Sequence, residues 1–87
     1  MHAKFKIIKV DNDIIIVNYD GGSGILDGII EYNAVTKEYN IIKNSAEHKP
    51  PGVFVKWLMN YPKFVYFAKI SYETQEPDNH NRVINCG

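Results

Sequence analysis

Strand-type segments separated by tight turn signals fill the first half of the chain. Residues 4–10 and 14–19 are rich in β-branched and aromatic side chains, and only Asp11, Asn12 and Asp13 separate them. Asp and Asn tolerate turn conformations and bond their own backbone, so this pattern predicts a hairpin. A connection this short joins antiparallel strands only, because parallel neighbours require a long crossover. The chain is therefore expected to build an antiparallel sheet.

Two further strands are predicted after the glycine-rich stretch 21–24. The first covers residues 25–33, with a bulge expected at Gly28, because glycine weakens a strand interior and often marks such an irregularity. The second covers residues 38–44. The short loop 34–37 between them again favours antiparallel pairing.

A proline-bracketed apolar segment follows, and it changes the periodicity of the sequence. Pro50 and Pro51 precede it and Pro62 ends it. Its large side chains are Phe54, Trp57, Leu58 and Tyr61, at spacings of three, one and three that suit one face of a helix. The Val-Phe-Val sequence at its start is also compatible with a strand, but the spacing favours a helix of about ten residues.

Residues 63–73 are predicted to form the last major strand. Aromatic and β-branched residues alternate along it, and its first half is apolar on both faces, as in a central strand. The remaining residues, 75–87, form a polar tail that is either loose or adds a short edge strand at 82–86. The predicted order is β-β-β-β-α-β, an α+β fold with one short helix on an antiparallel sheet of about five strands, in a single domain 1–74.

The helix segment is the candidate partner-binding site. A helix of ten residues is marginal in water and must pack on the sheet, yet one sheet face can bury only a stripe of it. We therefore expect Val55 or Met59 to be covered by a loop, by the tail or by another chain. Protein binding or self-association is predicted for residues 53–61, through these side chains: Phe54, Val55, Trp57, Leu58, Met59 and Tyr61.

Balanced charge argues against nucleic-acid binding but leaves it as the alternative. Ten basic residues face ten acidic ones, and the only arginine is Arg82. Lys4, Lys6 and Lys9 alternate with apolar residues in the first strand. They either solubilise an edge strand or form a basic patch, next to tyrosines that could stack on bases. Those tyrosines are Tyr19, Tyr32, Tyr39 and Tyr66.

The remaining polar motifs are interpreted as structural features rather than as catalytic or ligand-binding sites. His2, His48, His80 and Cys86 lack the spacing of a metal site. Residues 20–24 resemble a phosphate loop but lead into a strand rather than into a helix. The Asp-Asn-Asp turn lacks the later glycine and glutamate of a calcium loop. We therefore expect no catalytic residue, no metal and no cofactor.

Together, the features of the sequence restrict the functions that this chain can have. The chain has 87 residues, one cysteine, no apolar run long enough to span a membrane and no signal-peptide pattern, which predicts a cytoplasmic protein. Its abundance of Ile, Lys and Asn with one Arg suggests an AT-rich bacterial or phage genome. The leading hypothesis is a protein-binding module, in its sharper form an inhibitor or regulator encoded by a phage or mobile element. A nucleic-acid-binding sheet and a small-ligand or enzymatic domain are the alternatives.

Overall fold

A computed structural model describes residues 2–22, 24–45 and 52–85. Five strands and two helices follow one another in the order β-β-β-β-α-α-β. Their bounds are β1 His2–Asp11, β2 Ile14–Asp20, β3 Gly28–Asn33, β4 Tyr39–Lys43, α1 Val53–Met59, α2 Pro62–Thr74 and β5 Arg82–Asn85.

All five strands form one antiparallel sheet with the order β4-β3-β2-β1-β5. The first four strands are a meander in which each pairs with its neighbour in sequence. The chain then leaves the β4 edge, crosses one face of the sheet as α1 and α2, and returns as β5 at the opposite edge. The expected α+β class, with helical cover on an antiparallel sheet of five strands, is confirmed.

The predicted first hairpin is present and is tied to the helical layer. Asn12 adopts a left-handed backbone conformation with φ 55°, which the Asp-Asn-Asp turn allows at little cost. Its backbone N–H donates to the side-chain oxygen of Gln75 at 3.0 Å, and the Gln75 amide donates to the Asn12 carbonyl at 2.9 Å. Because Gln75 caps the end of α2, these bonds fix the turn against that helix.

Gly28 has a packing role rather than the bulge expected from the sequence. It pairs regularly with Tyr19, and a Cβ atom at this position would overlap the Tyr19 ring. The register irregularity of β3 lies one step further on, between Ile29 and Ile30 in the pairing with β4. The glycine is therefore explained by an aromatic ring that crosses the strand where a side chain would stand.

The strand predicted at residues 63–73 is wrong, since this segment is the helix α2. Its buried residues are Phe64, Ala68 and Ser71, at the spacings of four and three that place side chains on one helical face. Pro62 stands at the first helical position, where its missing N–H leaves no bond unmade. The small side chains of Ala68 and Ser71 allow the helix to approach the sheet closely.

The fifth strand comes instead from the polar C-terminal segment. Arg82–Asn85 pairs with the start of β1, with Lys4 opposite Val83 and Phe5 opposite Arg82. The first strand is consequently not an edge strand along this stretch, and the prediction that its lysines protect a free edge is wrong there. Cys86 lies outside the described residues.

The core lies between the helices and one face of the sheet, and Phe64 occupies its centre. The Phe64 ring meets Phe5 of β1 at 5.3 Å and Tyr32 of β3 at 5.1 Å between centroids, both edge to face. All three side chains are buried. One helical residue therefore contacts two strands that flank β2, and edge-to-face geometry adds to the burial of the rings.

The last strand is held to α2 by Arg82. Its guanidinium forms two 2.8 Å bonds to the Asp78 carboxylate and lies 3.9 Å from the centroid of the Phe67 ring. The hydrogen bond and charge of Arg82 hold the pKa of the Asp78 carboxyl below its usual value. The pair thus joins the loop before β5, the strand itself and the helix.

Substitution of Phe64 tests the proposed centre of the core. Phe64→Ala is expected to lower the free energy of unfolding by about 3–5 kcal/mol, because it leaves a cavity between helix and sheet. Tyr66→Ala, on the exposed side of the same helix, should cost less than about 1 kcal/mol. Urea unfolding followed by circular dichroism measures both. If Phe64→Ala does not fold, Phe64→Leu gives a milder comparison, and equal effects at positions 64 and 66 would contradict the assignment.

The Asp78–Arg82 pair predicts a pH dependence of stability. Because the folded-state pKa of Asp78 lies below its unfolded value, the pair stabilises the fold above about pH 4 and its contribution is lost as the pH falls through the folded pKa. Asp78→Asn should therefore lower the melting temperature at pH 7, and this difference should shrink as the pH falls below about 4. Asp13→Asn makes the same charge change at an exposed turn position. A deficit for Asp78→Asn that persists unchanged in acid would contradict this interpretation.

Candidate protein-binding surface

The short helix α1 divides its side chains between two faces. It follows Gly52, whose φ of 95° turns the chain into the helix. Residues 54, 55, 58 and 59 face inward, whereas residues 53, 56, 57 and 60 face outward at the i, i+3, i+4 and i+7 spacing of one helical stripe. We refer to the outward set as the α1 stripe: Val53, Lys56, Trp57 and Asn60.

The inward face is covered by the chain itself. Phe54, Val55, Leu58 and Met59 are all buried, with Val55 and Leu58 fully inaccessible. Of the three expected covers for Val55 and Met59, a loop, the tail or another chain, the last is therefore not needed, because both side chains are buried within this chain. These four predicted contact residues lie in the core, where they support the surface but cannot form the first contact with a partner.

The outward face leaves apolar surface in solvent. Val53 is 56% exposed and Trp57 is 36% exposed, and Tyr61 just beyond the helix is partly exposed. Of the six predicted contact residues, Trp57 and Tyr61 are thus the two that reach the surface. Val53 lies inside the predicted segment 53–61 but was not among the six residues. It is more exposed than Trp57, the other apolar residue of the α1 stripe.

Trp57 is held in place by a series of aromatic rings that leads out of the core. Tyr19 of β2 stacks on Phe54 at 6.1 Å, Phe54 meets Trp57 at 5.6 Å, and Trp57 meets Tyr61 at 4.9 Å between ring centroids. Each contact restricts the next ring. The exposed part of the indole is therefore presented in a fixed orientation rather than as a free side chain.

The turn between the helices is also fixed by hydrogen bonds. The Asn60 amide donates to the Lys56 carbonyl at 2.7 Å, the Tyr61 N–H donates to the Leu58 carbonyl at 3.1 Å, and the Val65 N–H donates to the Tyr61 carbonyl at 3.0 Å. A shallow groove of about 390 Å³ runs along this turn. It is lined by Val53, Lys56, Trp57, Asn60, Tyr61 and Pro62.

The helical layer around this groove is positively charged. From residue 52 to residue 72 the chain contains Lys56, Lys63 and Lys69 and no acidic residue. Lys63 donates to the Val83 carbonyl of β5 at 2.6 Å, while Lys56 and Lys69 are exposed. Of these lysines, Lys56 lines the groove beside the apolar side chains of α1, and Glu73 near the end of α2 is the carboxylate of the two helices.

A second exposed apolar pair lies on α2 and was not predicted. Tyr66 is 61% exposed and Ile70, one helical turn later, is 38% exposed. Alternation along the predicted strand put Tyr66 and Ile70 on the same face as residues 64 and 68, which are buried, so the strand prediction did not separate the exposed pair from the core. The i, i+4 spacing was the signal that would have identified them as a helical pair.

The three lysines of the nucleic-acid alternative lie on the sheet face opposite the helices. Lys4 and Lys6 are half-buried there and Lys9 is exposed. The tyrosines that would stack on bases do not share that face: Tyr19 and Tyr32 are buried beneath the helices. Tyr39 is opposite Tyr32 in the β3–β4 pair and so has the same orientation. The structure thus separates the lysines from the rings that this alternative requires.

The glycine-rich turn is occupied by its own chain. The Asp20 carboxylate accepts from the N–H groups of Gly22 at 2.8 Å and Gly24 at 3.0 Å, and the Ser45 hydroxyl accepts from Gly21 at 2.9 Å. The N–H groups of the three glycines that the structure describes in this turn are therefore already bonded to Asp20 and Ser45. Asp20 is buried, so the turn is closed from within.

Clusters of metal-ligating side chains are absent from the portion of the chain that the structure describes. No group of three or more His, Cys, Asp or Glu side chains could hold a metal ion within residues 2–22, 24–45 and 52–85. His80 is exposed in the loop before β5. His48 and Cys86 lie outside the described residues, and the structure describes the backbone of His2 but not its side chain.

Neither helix in the described ranges is long and apolar enough to cross a membrane. Comparison of the chain with models of protein families, with curated proteins and with solved structures found no match. The candidate site is therefore defined by its geometry alone.

Mutations on the two faces of α1 are expected to differ in how much they destabilise the fold. Leu58→Ala should lower the free energy of unfolding by about 2–5 kcal/mol, because it opens a cavity in the core. Val53→Ala should cost less than about 1 kcal/mol, since this side chain is largely in solvent. Thermal unfolding of both variants checks the assignment, and a large loss at position 53 would show that its side chain is buried after all.

Proposed function

We propose that this chain is a small non-enzymatic protein-binding module that contacts its partner through the α1 stripe. The observation that carries the proposal is the fixed, partly exposed Trp57 beside the exposed Val53. A scattered apolar side chain on a surface needs no explanation, but here two of them border one groove on a braced helix.

The energetics of binding favour such an arrangement. Tryptophan is enriched among the residues that dominate interface energies. A side chain that is already ordered loses little conformational entropy on association, so more of its burial appears as affinity. The ring series from Tyr19 to Tyr61 provides this order before any partner arrives.

Charge suggests the chemistry of the partner. Lys56 lines the groove beside the apolar side chains, which favours a protein surface that combines an apolar anchor with carboxylates. A chain of this size acts on such a partner by occupying its surface. We therefore propose regulation or inhibition of the partner as its mode of action.

The decisive experiment compares two variants that differ only in position. Val53→Asp places a carboxylate in the α1 stripe, whereas Val35→Asp makes the same change in the β3–β4 turn, where Val35 is 55% exposed. Tagged wild-type and variant chains are used to capture proteins from an extract of cells that express the chain, with quantitative mass spectrometry. We expect proteins captured by the wild type and by Val35→Asp to be lost with Val53→Asp and with Trp57→Ala.

Affinity measurements then test the same surface with the purified partner. Trp57→Ala is expected to weaken binding about tenfold or more, the effect typical of a central interface tryptophan. Equal capture by all four chains would contradict the assignment of the site. Tight binding of a metabolite with no captured protein would contradict the proposed function.

A further inference from the structure

The sheet face opposite the helices is not covered by any described element. Both helices pack against the other face, and alternate residues of β1, β2 and β3 leave this one only partly buried. Its central strand β2 presents Ile14 and Ile16. Apolar side chains in the middle of an uncovered sheet face raise the question of which molecule packs against them.

Charges of opposite sign flank this row. In the strand registers, Lys9 of β1 lies opposite Ile16 of β2, and Ile16 lies opposite Glu31 of β3. Directly opposite residues point to the same face of a sheet. Lys9, Ile16 and Glu31 therefore form one row across three strands, with the cation on one side of the central strand and the carboxylate on the other.

We propose that this face binds a second copy of the chain, face to face, about a two-fold axis that runs along β2. This rotation places β1 of each copy over β3 of the other. Lys9 of one copy then lies over Glu31 of the second copy, and the same contact occurs twice by symmetry. Ile16 meets Ile16 on the axis, so apolar surface is buried between the two ion pairs.

The charge pattern discriminates between possible arrangements. A two-fold axis perpendicular to the strands would instead place β1 over β1 and β3 over β3. The basic row Lys4, Lys6 and Lys9 would then face its own copy, and like charges brought together at an interface are costly. Of these two axes, the one along β2 is the one that places Lys9 over Glu31.

Asn18 provides an independent observation on the same axis. It lies on β2 between Lys6 and Ile29, and its side-chain oxygen is buried without a hydrogen-bond partner among the described residues. Such an unmade bond is costly in a monomer. Across the axis Asn18 faces Asn18 of the second copy, and after rotation of their amide groups the two carboxamides can exchange a reciprocal pair of hydrogen bonds.

The expected dimer is weak. The molecule measures only 33 × 21 × 19 Å along its principal axes, so the sheet face is small, whereas each partner contributes roughly 800 Å² to a standard stable interface. Surface charges are also screened by salt. The association is therefore to be measured at high protein concentration and low ionic strength.

Charge reversal tests the proposal by analytical ultracentrifugation of the whole chain. Lys9→Glu and Glu31→Lys should each raise the dimer dissociation constant about tenfold or more, because each replaces two attractions with two repulsions. The double variant Lys9→Glu/Glu31→Lys should return to within about threefold of the wild type. An equimolar mixture of the two single variants should also dimerise, since each then supplies the charge that the other lacks.

Two controls separate this face from the rest of the surface. Lys69→Glu makes the same charge change as Lys9→Glu on exposed α2 and should leave the dissociation constant unchanged. Ile16→Lys should abolish the dimer, with circular dichroism showing that the variant is folded. The proposal is overturned if the wild type stays monomeric up to about 1 mM at low salt. It is also overturned if the mixed single variants remain monomeric, or if Trp57→Ala abolishes the dimer while Ile16→Lys does not.

This inference concerns a different surface from the α1 stripe. The two can succeed or fail separately, since Val53→Asp and Trp57→Ala leave the open face of the sheet intact, and the variants at positions 9, 16 and 31 leave α1 intact.

Discussion

The contact of Phe64 with two strands at once is the interaction on which the rest of the structure depends. A meander of four strands has one apolar face that no strand of its own can cover. Phe64 enters that face over β2 and meets Phe5 on one side and Tyr32 on the other. This contact sets where α2 lies, and α2 in turn positions the turn that precedes it and the exposed side of α1. The strand β5 is then joined to the same helix through Arg82 and Phe67.

Local turn chemistry and the prolines made the sheet and α1 predictable. The Asp-Asn-Asp turn and the short loop at residues 34–37 define connections that only antiparallel pairs use. The segment 63–73 was ambiguous, because residues 64, 68 and 72 fit both a period of two and a period near four. What decides in favour of a helix is non-local: the sheet requires a cover that spans several strands. Pro62 at the first helical position was the local clue.

The candidate site was predictable in its location but not in its orientation. Nearly every residue from 53 to 59 is apolar, so the sequence does not indicate which half of the helix meets the sheet. The sheet selects the side with Phe54 and Leu58, and this leaves Val53 and Trp57 in solvent. The line of charge across the sheet was even less accessible to sequence reasoning. Lys9, Ile16 and Glu31 are neighbours only because the hairpin registers align them, with an irregularity after Ile7 that shifts Lys9 by one place.

The pairing of β5 with β1 has a mechanical consequence. His2 lies opposite Asn85, so the two ends of the described chain are adjacent on neighbouring antiparallel strands. Tension applied between these ends pulls the strands apart sideways and loads their backbone hydrogen bonds one after another rather than all together. The fold should therefore yield to stretching at low force, starting at this end of the strand pair, where the buried Ile84 resists before Arg82 at the far end of β5.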